Sequence, residues 1–164
     1  MARVYLSLGS NIDREHNLRG AIRELRETFG ELTVSRVFES TAVGFDGEDF
    51  YNLCIGLDTD MGVEGVNDTL HSIEDHYGRD RSGPRFSSRT LDIDLLLYDN
   101  LVIKQGKLEL PRDEITKNAF VLWPLAEIAA DTLHPTLNLT IAELWRGFDK
   151  TSQTLRPVAF NPAD

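Results

Sequence analysis

Apolar positions along the first hundred residues switch repeatedly between two periods, and the switches set out an order of elements. Residues 3–8 have the make-up of a strand and run into Gly9, Ser10 and Asn11, which favour a turn. Leu18, Ile22, Leu25 and Phe29 then recur at spacings of four, three and four, so they share one helix face, and Gly30 stops that helix. Segments 32–38 and 50–57 predict two strands, separated by a polar, glycine-containing loop over 44–49. Val66, Leu70, Ile73 and Tyr77 mark the apolar face of a second helix that ends at Gly78. An arginine-rich stretch follows, and then a strand in which Leu91, Ile93, Leu95 and Leu97 alternate at period two.

This order, β-α-β-β-α-β, predicts an α+β chain with a ferredoxin-like core: a largely antiparallel sheet with two helices on one face. C-terminal additions come after it. They comprise a short strand over 108–110, a loop over 111–118, an apolar segment over 120–130 and a helix over 141–148 that Thr140 can cap. A tail from Arg156 containing two prolines is expected to be loosely ordered at its end. No internal repeat, low-complexity tract or linker divides the sequence, so residues 1–164 are read as a single domain.

Composition narrows the function classes. A hydrophobic content of 41% and a charged content of 27% are those of a soluble globular protein. No apolar run approaches the roughly 20 residues of a membrane span, so a cytoplasmic protein without membrane contact is expected. The lone Cys54 sits in an apolar run and reads as a small buried hydrophobe; it excludes an internal disulfide. The four histidines lack zinc-type spacing and read as surface or helix-end residues. A net charge of -10 argues against nucleic acid as a partner. It leaves room for a phosphate ligand, because Arg79, Arg81, Arg85 and Arg89 are locally concentrated.

The chemistry is concentrated in the last strand of the core. Asp92 and Asp94 alternate with the apolar series, so both carboxylates project from the opposite face. Their Cβ atoms are then roughly 6–7 Å apart. Two ionised carboxylates at the end of an apolar strand repel each other and lose hydration, and a hard divalent cation such as Mg²⁺ relieves both costs. Arginines just upstream suit forked contacts with phosphate. Metal, arginine and phosphate together point to phosphoryl transfer.

The sequence resembles the 6-hydroxymethyl-7,8-dihydropterin pyrophosphokinases of folate biosynthesis. The resemblance rests on Leu8-Gly9-Ser10-Asn11, Phe50-Tyr51-Asn52, Gly78-Arg79, Arg89-Thr90-Leu91-Asp92-Ile93-Asp94 and Phe120-Val121-Leu122-Trp123-Pro124-Leu125, in that order. It implies transfer of a pyrophosphoryl group from ATP to the pterin hydroxymethyl group, with release of AMP. No G-x-x-x-x-G-K-[ST] segment is present to hold the nucleotide another way. By the resemblance Asp92 and Asp94 hold two Mg²⁺ ions on the triphosphate, Arg79 and Arg89 contact phosphates, and Glu74 lines the nucleotide site. Phe50 and Phe120 sandwich the pterin, the Asn52 amide reads its donor–acceptor edge, and Thr41 and Gly44 fall near a loop whose backbone reads the same edge. Arg79, Arg89, Asp92 and Asp94 thus form the expected catalytic set, with ATP and a pterin as small-molecule substrates of a monomer.

Departures from the family pattern cluster on the nucleotide side. Ser87-Ser88 replaces a Gly-Pro-like pair, with Gly83-Pro84 displaced upstream, and Arg112, Asp113 and Asn118 replace His, Tyr and Arg. Asn118 lacks the bidentate fork of an arginine, and Arg112 restores positive charge to the ATP site from a different place. Two alternatives to the pyrophosphokinase stay open at this point: a diverged paralogue acting on a modified pterin, and a non-catalytic pterin-binding module.

Overall fold

The computed structural model describes residues 1–40, 49–78 and 91–163. In chain order the elements are β1 (Ala2–Ser10), α1 (Arg14–Phe29), β2 (Thr33–Val34), β3 (Val37–Ser40), β4 (Phe50–Thr59), α2 (Val63–His76) and β5 (Asp92–Tyr98). Then come β6 (Ile103–Gln105), β7 (Leu108–Leu110), a 3₁₀ turn (Asp113–Thr116), α3 (Ala119–Ala129), α4 (Ile141–Gly147) and β8 (Leu155–Val158).

The main sheet has the order β5-β1-β4-β3-β8, with β2 also paired to β4, and each of its ladders is antiparallel. The first four of those strands, with α1 and α2 as crossovers, are the ferredoxin-like arrangement expected from the periodicity. β1 extends through Gly9 and Ser10, which pair with Asn52 and Tyr51 rather than turning. Strands β6 and β7 form a separate hairpin.

Both faces of the sheet are covered. On one, Leu18, Ala21, Ile22 and Leu25 of α1 and Val66, Leu70 and Ile73 of α2 pack against Leu6, Leu8, Leu53, Ile55, Leu91, Ile93 and Leu95. Gly20 of α1 allows the Tyr77 ring to lie close, since a Cβ there would fall 1.9 Å from the tyrosine hydroxyl. On the other face, Val121, Leu122, Leu125 and Ala129 of α3 cover Tyr5, Cys54, Leu96 and Leu97. α4 backs this layer, with Trp145 stacked on Trp123 at 5.3 Å. The two-layer expectation therefore becomes three layers.

Two irregularities reset the faces. In segment 32–38 the register against β4 slips by one residue between Val34 and Phe38. Ser35 bridges the slip: its N–H donates to the Cys54 carbonyl and its hydroxyl accepts from the Cys54 N–H at 2.9 Å. In β5, Leu6 pairs with Leu95 but Tyr5 pairs with Leu97, which leaves Leu96 as the extra residue of a bulge. Leu97 is thereby turned to the α3 face, away from Leu91, Ile93 and Leu95.

The tail is pinned rather than loose. β8 pairs with β3, Arg156 is bonded to Glu39, and the Phe160 ring stacks on Tyr51 at 5.8 Å beneath Arg19. His134 is buried, contrary to the surface reading. Its Nδ1 accepts from the backbone N–H groups of Thr136 and Leu137, and burial pushes its pKa down.

Candidate active site at the head of the edge strand

Cross-strand register assembles the site. Directly opposed residues of neighbouring strands share a face, so Asp92, Gly9, Asn52 and Phe38 form one row across β5, β1, β4 and β3. Asp94, Ser7 and Cys54 form the next row on that face. Phe50 and Ser40 join by the two-residue spacing along their strands. This is the face toward α3: Phe38 packs on Trp123 with ring centroids 4.6 Å apart, and the Cys54 thiol donates to the Val121 carbonyl at 3.5 Å.

At the edge, Asp92 and Asp94 are both half-buried. Burial pushes the Asp94 carboxyl well above the usual carboxylate range, and neighbouring Asp92 pushes it further, with Arg112 opposing both. The Arg112 guanidinium reaches Asp94 Oδ1 at 3.3 Å and Glu114 Oε1 at 3.4 Å. Its backbone N–H donates to the carbonyl of the bulged Leu96 at 3.0 Å, so the bulge anchors the arginine. Asn118 in turn donates to Glu114 Oε2 at 3.3 Å. The residue found in place of an expected arginine therefore supports, through Glu114, the arginine that faces the aspartate pair.

Glu74 is buried at the sheet edge, where its Oε2 accepts the Ile93 N–H at 2.8 Å. It thus ties α2 to the β5 backbone between the two aspartates. An open groove of about 460 Å³ lies along the β6–β7 hairpin and the His134 turn, with Arg112 in its wall. None of Asp92, Asp94, Asn52, Phe50 or Phe120 lines it, so it is separate from the aspartate row.

Two strands in from the aspartates, Asn52 is 5% exposed and donates through Nδ2 to Ser40 Oγ at 2.7 Å. A Cβ on Gly9 would stand 3.0 Å from Asn52 Oδ1 and 3.9 Å from the Phe50 ring. Glycine at this position lets the amide and the ring lie against the β1 backbone. Phe50 comes from the sheet and Phe120 from the first turn of α3, and both are half-buried.

Of the residues expected from the sequence, Asp92, Asp94 and Arg112 come together, as do Asn52 and Phe50, with Phe120 in the layer that covers this face. Thr41, Gly44, Arg79 and Arg89 lie outside the described residues. Sequence reasoning missed Gly9, Ser40 and Glu114. A glycine read as a turn gave no hint of a cradle, and Ser40 meets Asn52 only through the β3–β4 register.

The sequence matches the family described as 7,8-dihydro-6-hydroxymethylpterin-pyrophosphokinase over residues 5–130. It is 38% identical over 135 residues to 2-amino-4-hydroxy-6-hydroxymethyldihydropteridine pyrophosphokinase of Methylorubrum extorquens, covering 80% of this chain and 85% of that one. To the Aquifex aeolicus protein of the same name it is 33% identical, over 96% of both chains. The fold is similar to that of the crystal structure of Plasmodium falciparum HPPK-DHPS with pteroate. The TM-score is 0.72 at 14% identity, over 88% of this chain and 42% of that one. The chain also spans 21% of Folic acid synthesis protein FOL1 of Dictyostelium discoideum. The fold is a ferredoxin-like sheet that carries the carboxylate pair Asp92 and Asp94 on its edge strand. The chain belongs to the 7,8-dihydro-6-hydroxymethylpterin-pyrophosphokinase family.

Proposed function

We propose that this chain transfers an intact pyrophosphoryl group from ATP to the hydroxymethyl group of 6-hydroxymethyl-7,8-dihydropterin, releasing AMP, as a step of folate biosynthesis. The observation that carries this reading is the single row that joins Asp92 at the sheet edge to Asn52 beside Phe50. On this reading the residues proposed for phosphate and metal and those proposed for the ring share one face. In the reaction the pterin oxygen bonds to the β-phosphorus as the bond from that phosphorus to the α-bridging oxygen breaks. AMP departs with the electron pair, and the hydroxyl proton passes to solvent.

The donors fit a hard cation. Asp92 and Asp94 offer only oxygen, and burial leaves the bare Asp94 carboxylate disfavoured without a positive charge beside it. Among the described residues no group of three His, Cys, Asp or Glu side chains converges to hold a metal. Asp92 and Asp94 would hold Mg²⁺, two ions by the family resemblance, at the phosphate end of the site. When bound there, the metals neutralise phosphate charge and favour an in-line approach.

This chain's own residues do the rest. Arg112 supplies a fixed positive charge beside Asp94, and Arg79 and Arg89 contact the phosphates. Glu74 lines the nucleotide end through its hold on β5. Phe50 and Phe120 stack on the pterin, each pair worth about 0.5–1.5 kcal/mol beyond burial. Asn52 reads the ring edge together with the backbone of the loop near which Thr41 and Gly44 fall. The whole chain acts as one domain, a monomer in the cytoplasm. The net charge of -10 supports small molecules over nucleic acid as partners. Among the described residues no helix is long and apolar enough to cross a membrane.

The test is a product assay with purified chain, ATP and the dihydropterin. AMP is expected in equal amount to the pterin consumed, with formation stopped by chelation of Mg²⁺. A chain that binds the pterin without forming AMP would fit the binding-module alternative instead.

A further inference from the structure

The Asn52 amide is held from two sides. Its Nδ2 donates to Ser40 Oγ at 2.7 Å, and its Oδ1 lies 3.0 Å from the point a Cβ on Gly9 would occupy. Ser40 alone does not decide which end of the amide faces it, because a hydroxyl both accepts and donates. Gly9 decides. An oxygen sits comfortably against the Gly9 Cα–H, whereas an NH₂ turned there would set hydrogen against hydrogen. With one Nδ2 hydrogen given to Ser40, the amide presents its second N–H and its oxygen in a fixed order to a ring lying against Phe50.

We propose that Ser40, acting with Gly9, is a positioning residue that locks the Asn52 amide in one orientation and so sets ring specificity. The inference rests on the pterin reading of the site and deepens it. A 2-amino-4-oxo ring carries an N–H donor beside a carbonyl acceptor. Its 2,4-diamino counterpart has the same shape with the order reversed, a ring-nitrogen acceptor beside an amino donor. An amide fixed in one orientation pairs with the first and meets the second donor to donor and acceptor to acceptor. A mismatch of this kind leaves buried polar groups unpaired, which is the source of large discrimination between otherwise similar ligands. An amide free to flip serves both rings.

The experiment is calorimetry on protein saturated with Mg²⁺ and a non-hydrolysable ATP analogue. The two rings are 6-hydroxymethylpterin and its 2,4-diamino counterpart, and the quantity read is the ratio of their Kd values. Ser40→Ala is expected to shrink the wild-type preference for the oxo ring at least about tenfold, roughly 1.4 kcal/mol. Ser40→Thr, which keeps the hydroxyl, restores the preference. In an Asn52→Ala background Ser40→Ala changes the ratio no further, the signature of two residues acting as one unit. A purely structural role for Ser40 would weaken both rings equally and leave the ratio alone. An unchanged ratio in Ser40→Ala, or a loss that persists without Asn52, overturns the proposal. Wild-type protein that binds neither ring would instead overturn the pterin reading, and this inference with it. Melting temperatures of each variant separate either result from a failure to fold.

Discussion

Asp94 concentrates the electrostatic cost of the site. Its pKa is raised by burial and then by Asp92, so ionising it costs more in the folded chain than in the unfolded one. The cost is absent below the ordinary carboxylate pKa, about 3.9, and grows as pH rises toward the folded value. Asp94→Asn removes it at neutral pH. The metal-free variant should therefore melt no lower than wild type at pH 7, while kcat falls at least about a hundredfold, some 2.7 kcal/mol of lost transition-state stabilisation. A clear drop in melting temperature would show that the Arg112 contact outweighs the burial cost. The shared face of Asp92 and Asp94 was legible in the sequence because strand alternation fixes which side chains project together, whereas Asn52 and Phe50 came from the family resemblance. Gly9 and Ser40 were legible in neither way, because their roles come from register with a strand more than ten residues away.

The Arg112 arrangement belongs to the scale of elements, since it needs the β5 bulge, the segment after β7 and the first turn of α3. Arg112→Ala should raise the KM for MgATP about tenfold, with pterin affinity measured on the ATP-analogue complex changing far less. An equal loss in both would mean that the arginine holds the site together instead of serving the nucleotide. A bulge is invisible to periodicity: Leu91 to Leu97 alternates without a break in sequence, yet Leu97 faces α3. α3 itself was hard to place because its segment is apolar at every position but Glu127, so no apolar stripe stands out from a polar face.

β8 was missed for a related reason. Pro157 argues against a central strand, but it is compatible with the edge position that β8 occupies beside β3. Glu39 fastens this edge, flanked by Arg156 and Arg14. The hydrogen bond from Arg156 holds the Glu39 carboxyl below its usual range. A depressed carboxylate stabilises above its unfolded pKa and loses that contribution as pH falls through the folded one. Glu39→Gln should therefore melt a few degrees lower than wild type at pH 7, and the gap should narrow as pH falls below the ordinary carboxylate range. A gap that stayed constant with pH would assign the loss to packing.

At the scale of the whole molecule, the βαββαβ order was legible because the two helices and the buried strands have unmistakable and different periods. The architecture places the aspartate pair at the sheet edge and Asn52 near its middle, on the face toward α3. On the proposed function these two ends act on one reaction in which two phosphates move together. ATP labelled at the β-phosphate tests this most directly. Incubated with the chain, Mg²⁺ and 6-hydroxymethyl-7,8-dihydropterin, the label should appear in the pterin product while unlabelled AMP accumulates. Asp94→Asn should suppress both signals. Label retained in ADP, or an Asp94→Asn variant that still transfers it at the wild-type rate, would rule out pyrophosphoryl transfer at this site.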